Sequence, residues 1–190
     1  MEIAIFGTSA DPPTIAHQRI LVYLAKHYDL VAVYASDNPF KAHGSDLIHR
    51  HRMLELLINE LQAVYPNIIF APEISDRRTI NTIAKVKQKW GANHILTVVI
   101  GGDLSEQIFS WYQAEQLWSN LQVLIVPREG YQINQATIEK INQYSLGCRV
   151  AEYETPAFSS TDYRRYHNQE VLTDSVKAYI QKHHLYFNGT

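Results

Sequence analysis

One cysteine, Cys148, is all that the chain of 190 residues contains. No internal disulfide can form, so the cross-linked framework of a small secreted scaffold is excluded. Long hydrophobic runs are missing too. The longest, Ile95 to Ile100, is strand length, far short of the roughly 18 apolar residues that span a bilayer. Nor is there an excess of positive charge: 17 Lys and Arg stand against 19 Asp and Glu, a formal net charge of −2. Without a basic field the chain has no footprint for nucleic acid or an anionic membrane, and neither is expected as a partner. Any anionic ligand must be held by a local group of donors. No basic stretch precedes Met1-Glu2-Ile3-Ala4, which argues against an export signal. With the lone cysteine, this leads us to expect a cytoplasmic protein. Two glycine signatures are also absent, the GxGxxG of dinucleotide-binding turns and the GxxxxGK[ST] of P-loops.

What is present is a regular alternation. Short apolar runs at Ile3–Phe6, Leu30–Tyr34, Ile68–Phe70, Ile95–Ile100 and Val123–Val126 are rich in Val, Ile or Tyr and bounded by Gly, Pro, Asn or Asp. They are near-continuous, not alternating with polar residues, as suits a parallel sheet covered on both faces. Between them the spacing predicts helices over Thr14–Tyr28, Leu47–Val64 (with Ser45 or Asp46 as cap), Thr79–Trp90 and Asn134–Tyr144, and a last one over Glu170–His183. We therefore expect an α/β fold: a doubly wound, Rossmann-like parallel sheet with helices on both faces, forming a single domain over residues 1–190. In such folds ligands lie outside the carboxyl ends of the strands.

The first strand runs into Phe6-Gly7-Thr8-Ser9-Ala10-Asp11-Pro12-Pro13-Thr14-Ile15-Ala16-His17 and opens a helix there. Gly7 and Thr8 permit close backbone approach, and a helix start offers free N–H groups to phosphate. Thr14 and His17, three residues apart, share a face of the first turn and lean towards its N-terminus. Spacing alone would more often make such a pair surface decoration. Near the other end, Phe158-Ser159-Ser160-Thr161-Asp162-Tyr163-Arg164 sets three hydroxyls at a helix start with an Arg one turn on. That is either a second anion site or an ordinary Ser cap.

The two segments together resemble the paired signatures of the nucleotidylyltransferase superfamily. Thr14-Ile15-Ala16-His17 matches its Thr/His-x-Gly-His motif at both polar positions, and Asp11-Pro12 matches the pair ahead of it. Ser159, Thr161 and Arg164 match its Ile-Ser-x-Thr-x-x-Arg motif. Ala16 stands where the family has Gly, and Ala10 where Phe is usual. Further matches narrow the likeness to the nicotinate/nicotinamide-mononucleotide adenylyltransferases: Asn38-Pro39-Phe40-Lys41, Arg50-x-x-Met53-Leu54, Gly101-Gly102-Asp103, Trp111-Tyr112, the turn at Arg128-x-Gly130-Tyr131 and His184-Leu185-Tyr186.

The resemblance implies an enzyme that joins ATP to a pyridine mononucleotide and releases pyrophosphate, with Mg²⁺ on the triphosphate and no protein metal cage. It implies that His17, Thr14, Lys41 and Arg164 act on the reacting phosphates. It assigns Gly7, Thr8, Ser9, Asp103, Ser159, Ser160 and Thr161 to ATP, and Thr79, Thr82, Trp111, Tyr112 and Arg128 to the pyridine mononucleotide. Arg77-Arg78 replace a Ser-Tyr pair of the family; they either face an acidic ring substituent or lie in solvent. A related enzyme adenylating phosphopantetheine or transferring CMP, or a nucleotide sensor without turnover, remains an alternative, and the sequence leaves room for a homo-oligomer. His43, His49 and His51 have no zinc-motif spacing and are expected at the surface.

Overall fold

In the computed structural model, which describes residues 1–37, 42–128, 130–153 and 159–187, six strands form one sheet. They are β1 (Glu2–Thr8), β2 (Leu30–Ala35), β3 (Ile68–Phe70), β4 (Ile95–Gly101), β5 (Gln122–Val126) and β6 (Gly147–Val150). The spatial order is β3-β2-β1-β4-β5-β6 and every neighbouring pair is parallel. Seven helices connect and follow them: α1 (Ile15–His27), α2 (Leu47–Gln62), α3 (Thr79–Trp90), α4 (Ala114–Trp118), α5 (Gln135–Tyr144), α6 (Ser160–Tyr166) and α7 (Asp174–Lys182). The expected doubly wound α/β architecture is the observed one.

The apolar runs are continuous because each strand feeds two cores. Ala4 and Phe6 of β1 join one cluster and Ile3 and Ile5 the other; Leu124 and Val126 of β5 likewise oppose Val123 and Ile125. Alternate side chains of a strand point to opposite faces, so a sheet covered twice needs both sets apolar. On one face lie Leu21 and Leu24 of α1, Met53, Leu54 and Leu57 of α2 and Val176 and Ile180 of α7. On the other lie Ile83 and Val86 of α3, Leu117 and Trp118 of α4 and Ile141 of α5. Each fully buried Leu contributes roughly 1.5–3 kcal/mol, so a charge at Leu57 would be enough to unseat α2.

Helix ends explain the small differences from the sequence reading. Thr14 caps α1 from outside, and the side-chain amide of Asn67 donates to the carbonyls of Ala25 and Tyr28 at its far end, at 2.8 and 2.9 Å. The expected helix over 170–183 is split. A 3-10 turn at Gln169–Val171 is followed by Leu172 in extended conformation and Thr173 as the cap of α7. Val171 and Leu172 are both buried, which the break allows and one continuous helix, turning about 100° per residue, would hinder. Two elements escaped the reading. β6, Gly-Cys-Arg-Val, pairs among the described residues only with β5 and so lacks the apolar run of a central strand. α4 has five residues, too few to show a helical period.

Candidate active site

The strand order reverses between β1 and β4, where the chain from β1 turns to one side of the sheet and the chain from β4 to the other. The carboxyl ends of these two strands stand at the usual ligand position in such sheets. Thr8 ends β1; Gly101, Gly102 and Asp103 lie at the end of β4.

His17 is fixed here by both ring nitrogens. The backbone N–H of Thr14 donates to Nδ1 at 3.0 Å, and Thr14 Oγ1 lies 3.0 Å from the same nitrogen. A backbone amide can only donate, so Nδ1 is an acceptor and the proton of the neutral ring sits on Nε2. Nε2 lies 3.0 Å from Thr8 Oγ1 at the strand tip and is the donor of that pair. Burial, and secondarily the charge of Arg128, lower the pKa of His17 to about 4. At neutral pH the ring is therefore uncharged, with a single N–H aimed at the end of β1. Arg128 itself, after β5, donates to Asp103 Oδ2 at 3.0 Å.

Asp11 organises the loop between β1 and α1. It is 1% exposed and accepts from the Gly44 amide at 2.6 Å, Ser45 Oγ at 3.0 Å and the Tyr186 hydroxyl at 2.8 Å. Arg164 of α6 lies 3.5 Å from its carboxylate and also donates to its carbonyl. Ser160 donates to the Pro12 carbonyl at 2.8 Å. The two signature segments, about 150 residues apart in the sequence, are thus in direct contact. Ser159 caps α6 through the Asp162 amide, and Asp162 in turn takes the Ser159 amide. Arg50, also buried, donates to the carbonyls of Ser9 at 2.9 Å and Ser36 at 2.8 Å, tying the first loop to the end of β2.

Some of the residues assigned to the pyridine side make contacts that the sequence does not reveal. A Cβ added at Gly7 would come within 2.5 Å of Tyr34 Cζ, so the close approach at this glycine is to the Tyr34 ring. Tyr34 lies beside Thr82 of α3, whose fully buried hydroxyl has no partner of normal hydrogen-bond geometry. At the start of that helix, the Arg78 guanidinium stacks over the Tyr112 ring at 3.8 Å from its centroid. Tyr112 is thereby set beside the start of α3. Trp111 turns inward, 5.4 Å from the ring of Trp118. Of the two unexplained arginines, Arg77 is exposed and 3.5 Å from Asp37.

Lys41 lies outside the described residues. Among those described, no group of three or more His, Cys, Asp or Glu side chains is arranged to hold a metal. No helix is long and apolar enough to cross a membrane. Asp11, Tyr34, Arg50 and Tyr186 were not among the expected site residues. The only sequence signals were Asp11 beside Pro12 in the first signature and Arg50 and Tyr186 in their short motifs; Tyr34 is one more apolar strand position.

A family model described as cytidylyltransferase-like matches residues 5–166. The chain is 41% identical over 198 residues to the probable nicotinate-nucleotide adenylyltransferase of Synechocystis sp., covering 98% of this chain and 99% of that protein. It is 23% identical over 193 residues to the nicotinate-nucleotide adenylyltransferase of Bacillus subtilis, covering 97% and 98%. Among solved structures, the Plasmodium falciparum nicotinic acid mononucleotide adenylyltransferase complexed with NaAD superposes with a TM-score of 0.80 at 22% identity, over 99% of this chain and 98% of that one. At that identity the likeness speaks for the fold. The chain belongs to the cytidylyltransferase-like family, and within it to the nicotinate-nucleotide adenylyltransferases.

Proposed function

We propose that the chain transfers the adenylyl group of ATP to nicotinate mononucleotide, giving the adenine dinucleotide and pyrophosphate, a step of NAD biosynthesis. A phosphate oxygen of the mononucleotide attacks the α-phosphorus of ATP in line. The bond from that phosphorus to the bridging oxygen breaks, and pyrophosphate leaves with the electron pair. The mononucleotide phosphate is already an anion at neutral pH, so no strong base is needed. Positioning and donors aimed at developing charge supply the rate.

The observation that carries this reading is the state of His17. Its Nδ1 is occupied by the Thr14 amide and its pKa is depressed to about 4. That suits a neutral hydrogen-bond donor to the α-phosphate through Nε2, with no part as a general base. In the bound state a phosphate oxygen takes the place of Thr8 Oγ1 on that proton. Thr14, Gly7, Thr8 and Ser9 border the same phosphate, and Asp103 meets the ribose. Arg164, Ser159, Ser160 and Thr161 face the leaving pyrophosphate, and the resemblance gives Lys41 a part in the same step. Thr79, Thr82, Trp111, Tyr112 and Arg128 receive the pyridine nucleotide. The two carboxylates of the site, Asp11 and Asp103, are each engaged by an arginine. The residues present therefore fit Mg²⁺ brought in on the triphosphate oxygens of ATP with water completing its shell, and the ion is part of the substrate. We place the reaction in the cytoplasm, where ATP is available and a lone cysteine stays reduced.

The test is pyrophosphate release by the purified chain with ATP, Mg²⁺ and either nicotinate or nicotinamide mononucleotide. Release that depends on a mononucleotide supports the reading. ATP binding without release with either acceptor overturns it and favours the sensor alternative.

A further inference from the structure

After α7 the chain turns back onto its own first loop. His184 and Tyr186 both take left-handed backbone angles, φ 50° and 65°, which residues other than glycine adopt where their surroundings hold them. What holds Tyr186 is Asp11. The Tyr186 hydroxyl donates to Asp11 Oδ1 at 2.8 Å and lies 2.9 Å from Ser45 Oγ, which donates to the same oxygen at 3.0 Å. The Tyr186 ring stands edge-on to Tyr163 of α6, with centroids 5.8 Å apart. Burial, and then the charge of Asp11, push the Tyr186 phenol above its usual range, so it remains a donor at neutral pH.

The other carboxylate oxygen serves the phosphate side. Oδ2 accepts from the Gly44 amide at 2.6 Å and lies 3.5 Å from Arg164 Nη1, which also donates to the Asp11 carbonyl. Side-chain exposure is 1% at Asp11 and 30% at Arg164. The guanidinium is therefore anchored on its buried side, and its remaining donors are open to an anion. A Cβ added at Gly44 would come within 2.7 Å of Arg164 Cδ and 3.0 Å of Tyr186 Cε1, so the arginine stem and the tyrosine ring close on the same glycine. A planar carboxylate cannot turn one oxygen without turning the other. With Oδ1 pinned by two hydroxyls, the place where Oδ2 meets Arg164 is fixed as well.

We propose that Tyr186 is a positioning residue for the phosphate step: through Asp11 it sets the guanidinium of Arg164 where the leaving pyrophosphate is received. This rests on the adenylyl-transfer reading above. Arg164 is the donor that touches the phosphates; Tyr186 acts only through it. An arginine without that anchor keeps its charge but must be ordered by the ligand, at a cost in side-chain entropy that lowers affinity.

The experiment is steady-state kinetics of pyrophosphate release, with added pyrophosphate as product inhibitor, using ATP and the mononucleotide that the wild type turns over. The proteins are the wild type, Tyr186→Phe, Arg164→Ala and the double variant. Tyr186→Phe keeps the ring against Tyr163 and removes only the hydroxyl. We expect kcat/KM for ATP to fall roughly 3- to 10-fold, towards the low end for a hydrogen bond to a charged group because Ser45 still holds Oδ1. Inhibition by pyrophosphate weakens by a similar factor, while the KM for the mononucleotide is nearly unchanged. In the Arg164→Ala background the same substitution adds less than about twofold, since the group it positions is gone. Ser45→Ala removes the other donor to Oδ1, gives the same pattern, and carries the test if Tyr186→Phe does not fold. Effects that multiply in the double variant, an equal loss with ATP and mononucleotide, or unchanged kinetics overturn the role of Tyr186 and leave adenylyl transfer standing. A wild type that releases no pyrophosphate with either mononucleotide overturns both.

Discussion

Acid should destabilise this protein through His17 in a way that can be worked out in advance. In the unfolded chain the imidazole titrates near 6.5; in the fold burial and then the charge of Arg128 bring it to about 4. Between those values the unfolded chain carries the proton and the native chain does not, so stability must rise with pH across that window. The contribution is whole above about pH 6.5, is lost as pH falls towards 4, and changes no further below that. At about 1.4 kcal/mol per pH unit the whole loss is about 3 kcal/mol, a ceiling because the ring is partly exposed. Urea unfolding of the wild type and His17→Asn at about pH 7.5 and pH 4.5, near the ends of the window, isolates the effect, because the variant cannot titrate there. The wild type should lose more stability than the variant by up to that amount. An NMR titration of labelled histidine should show the His17 ring neutral until well below pH 6. Equal acid sensitivity in both proteins, or a His17 midpoint near 6.5, would refute the claim that Nδ1 is locked as an acceptor.

Four further outcomes are expected. His17→Ala should lower turnover by at least ~100-fold, the low end for losing one key stabilising donor; near-normal kcat in the pyrophosphate assay would remove its assigned role. Gly7→Ala drives a methyl into Tyr34 and should cost about 1–3 kcal/mol by chemical denaturation. Tyr34→Leu in the same chain should recover part of that cost, and a strictly additive pair would mean that the contact is not the cause. Asp11→Ala strips a buried acceptor from Gly44, Ser45, Tyr186 and Arg164 and should cost about 3–5 kcal/mol; a Tm within a degree or two of wild type would contradict the hub. Ala16→Gly should keep or improve ATP affinity by calorimetry, and a clear loss would refute the idea that a small residue there serves close approach of the nucleotide.

Fold class was legible because it depends on local pattern. Five of the six strands are runs in which both alternating sets are apolar, and only a sheet covered on both faces buries both sets. The helices between them carry their period and caps in the open. Elements that depend on a neighbour were not legible: β6 is a strand because β5 offers an edge, and α4 a helix because Leu117 and Trp118 have a core to enter. At the site, Thr14 and His17 could be paired from their spacing, as one turn of helix sets that geometry.

The sequence by itself determined a doubly wound α/β fold, a helix start that sets Thr14 and His17 on one face and, through its two signatures, the class of chemistry. All of these reside in short segments whose conformation follows from their own residues. Only the tertiary structure decided what those residues meet. Asp11 became a buried junction because Gly44, Arg164 and Tyr186 arrive from three distant segments. Gly7 answers to Tyr34 across the β1–β2 pair. Arg78 acquired its place when the segment after β4 laid Tyr112 beneath it. A side chain's charge state and free donors depend on what desolvates and pairs them, and packing between distant elements supplies both.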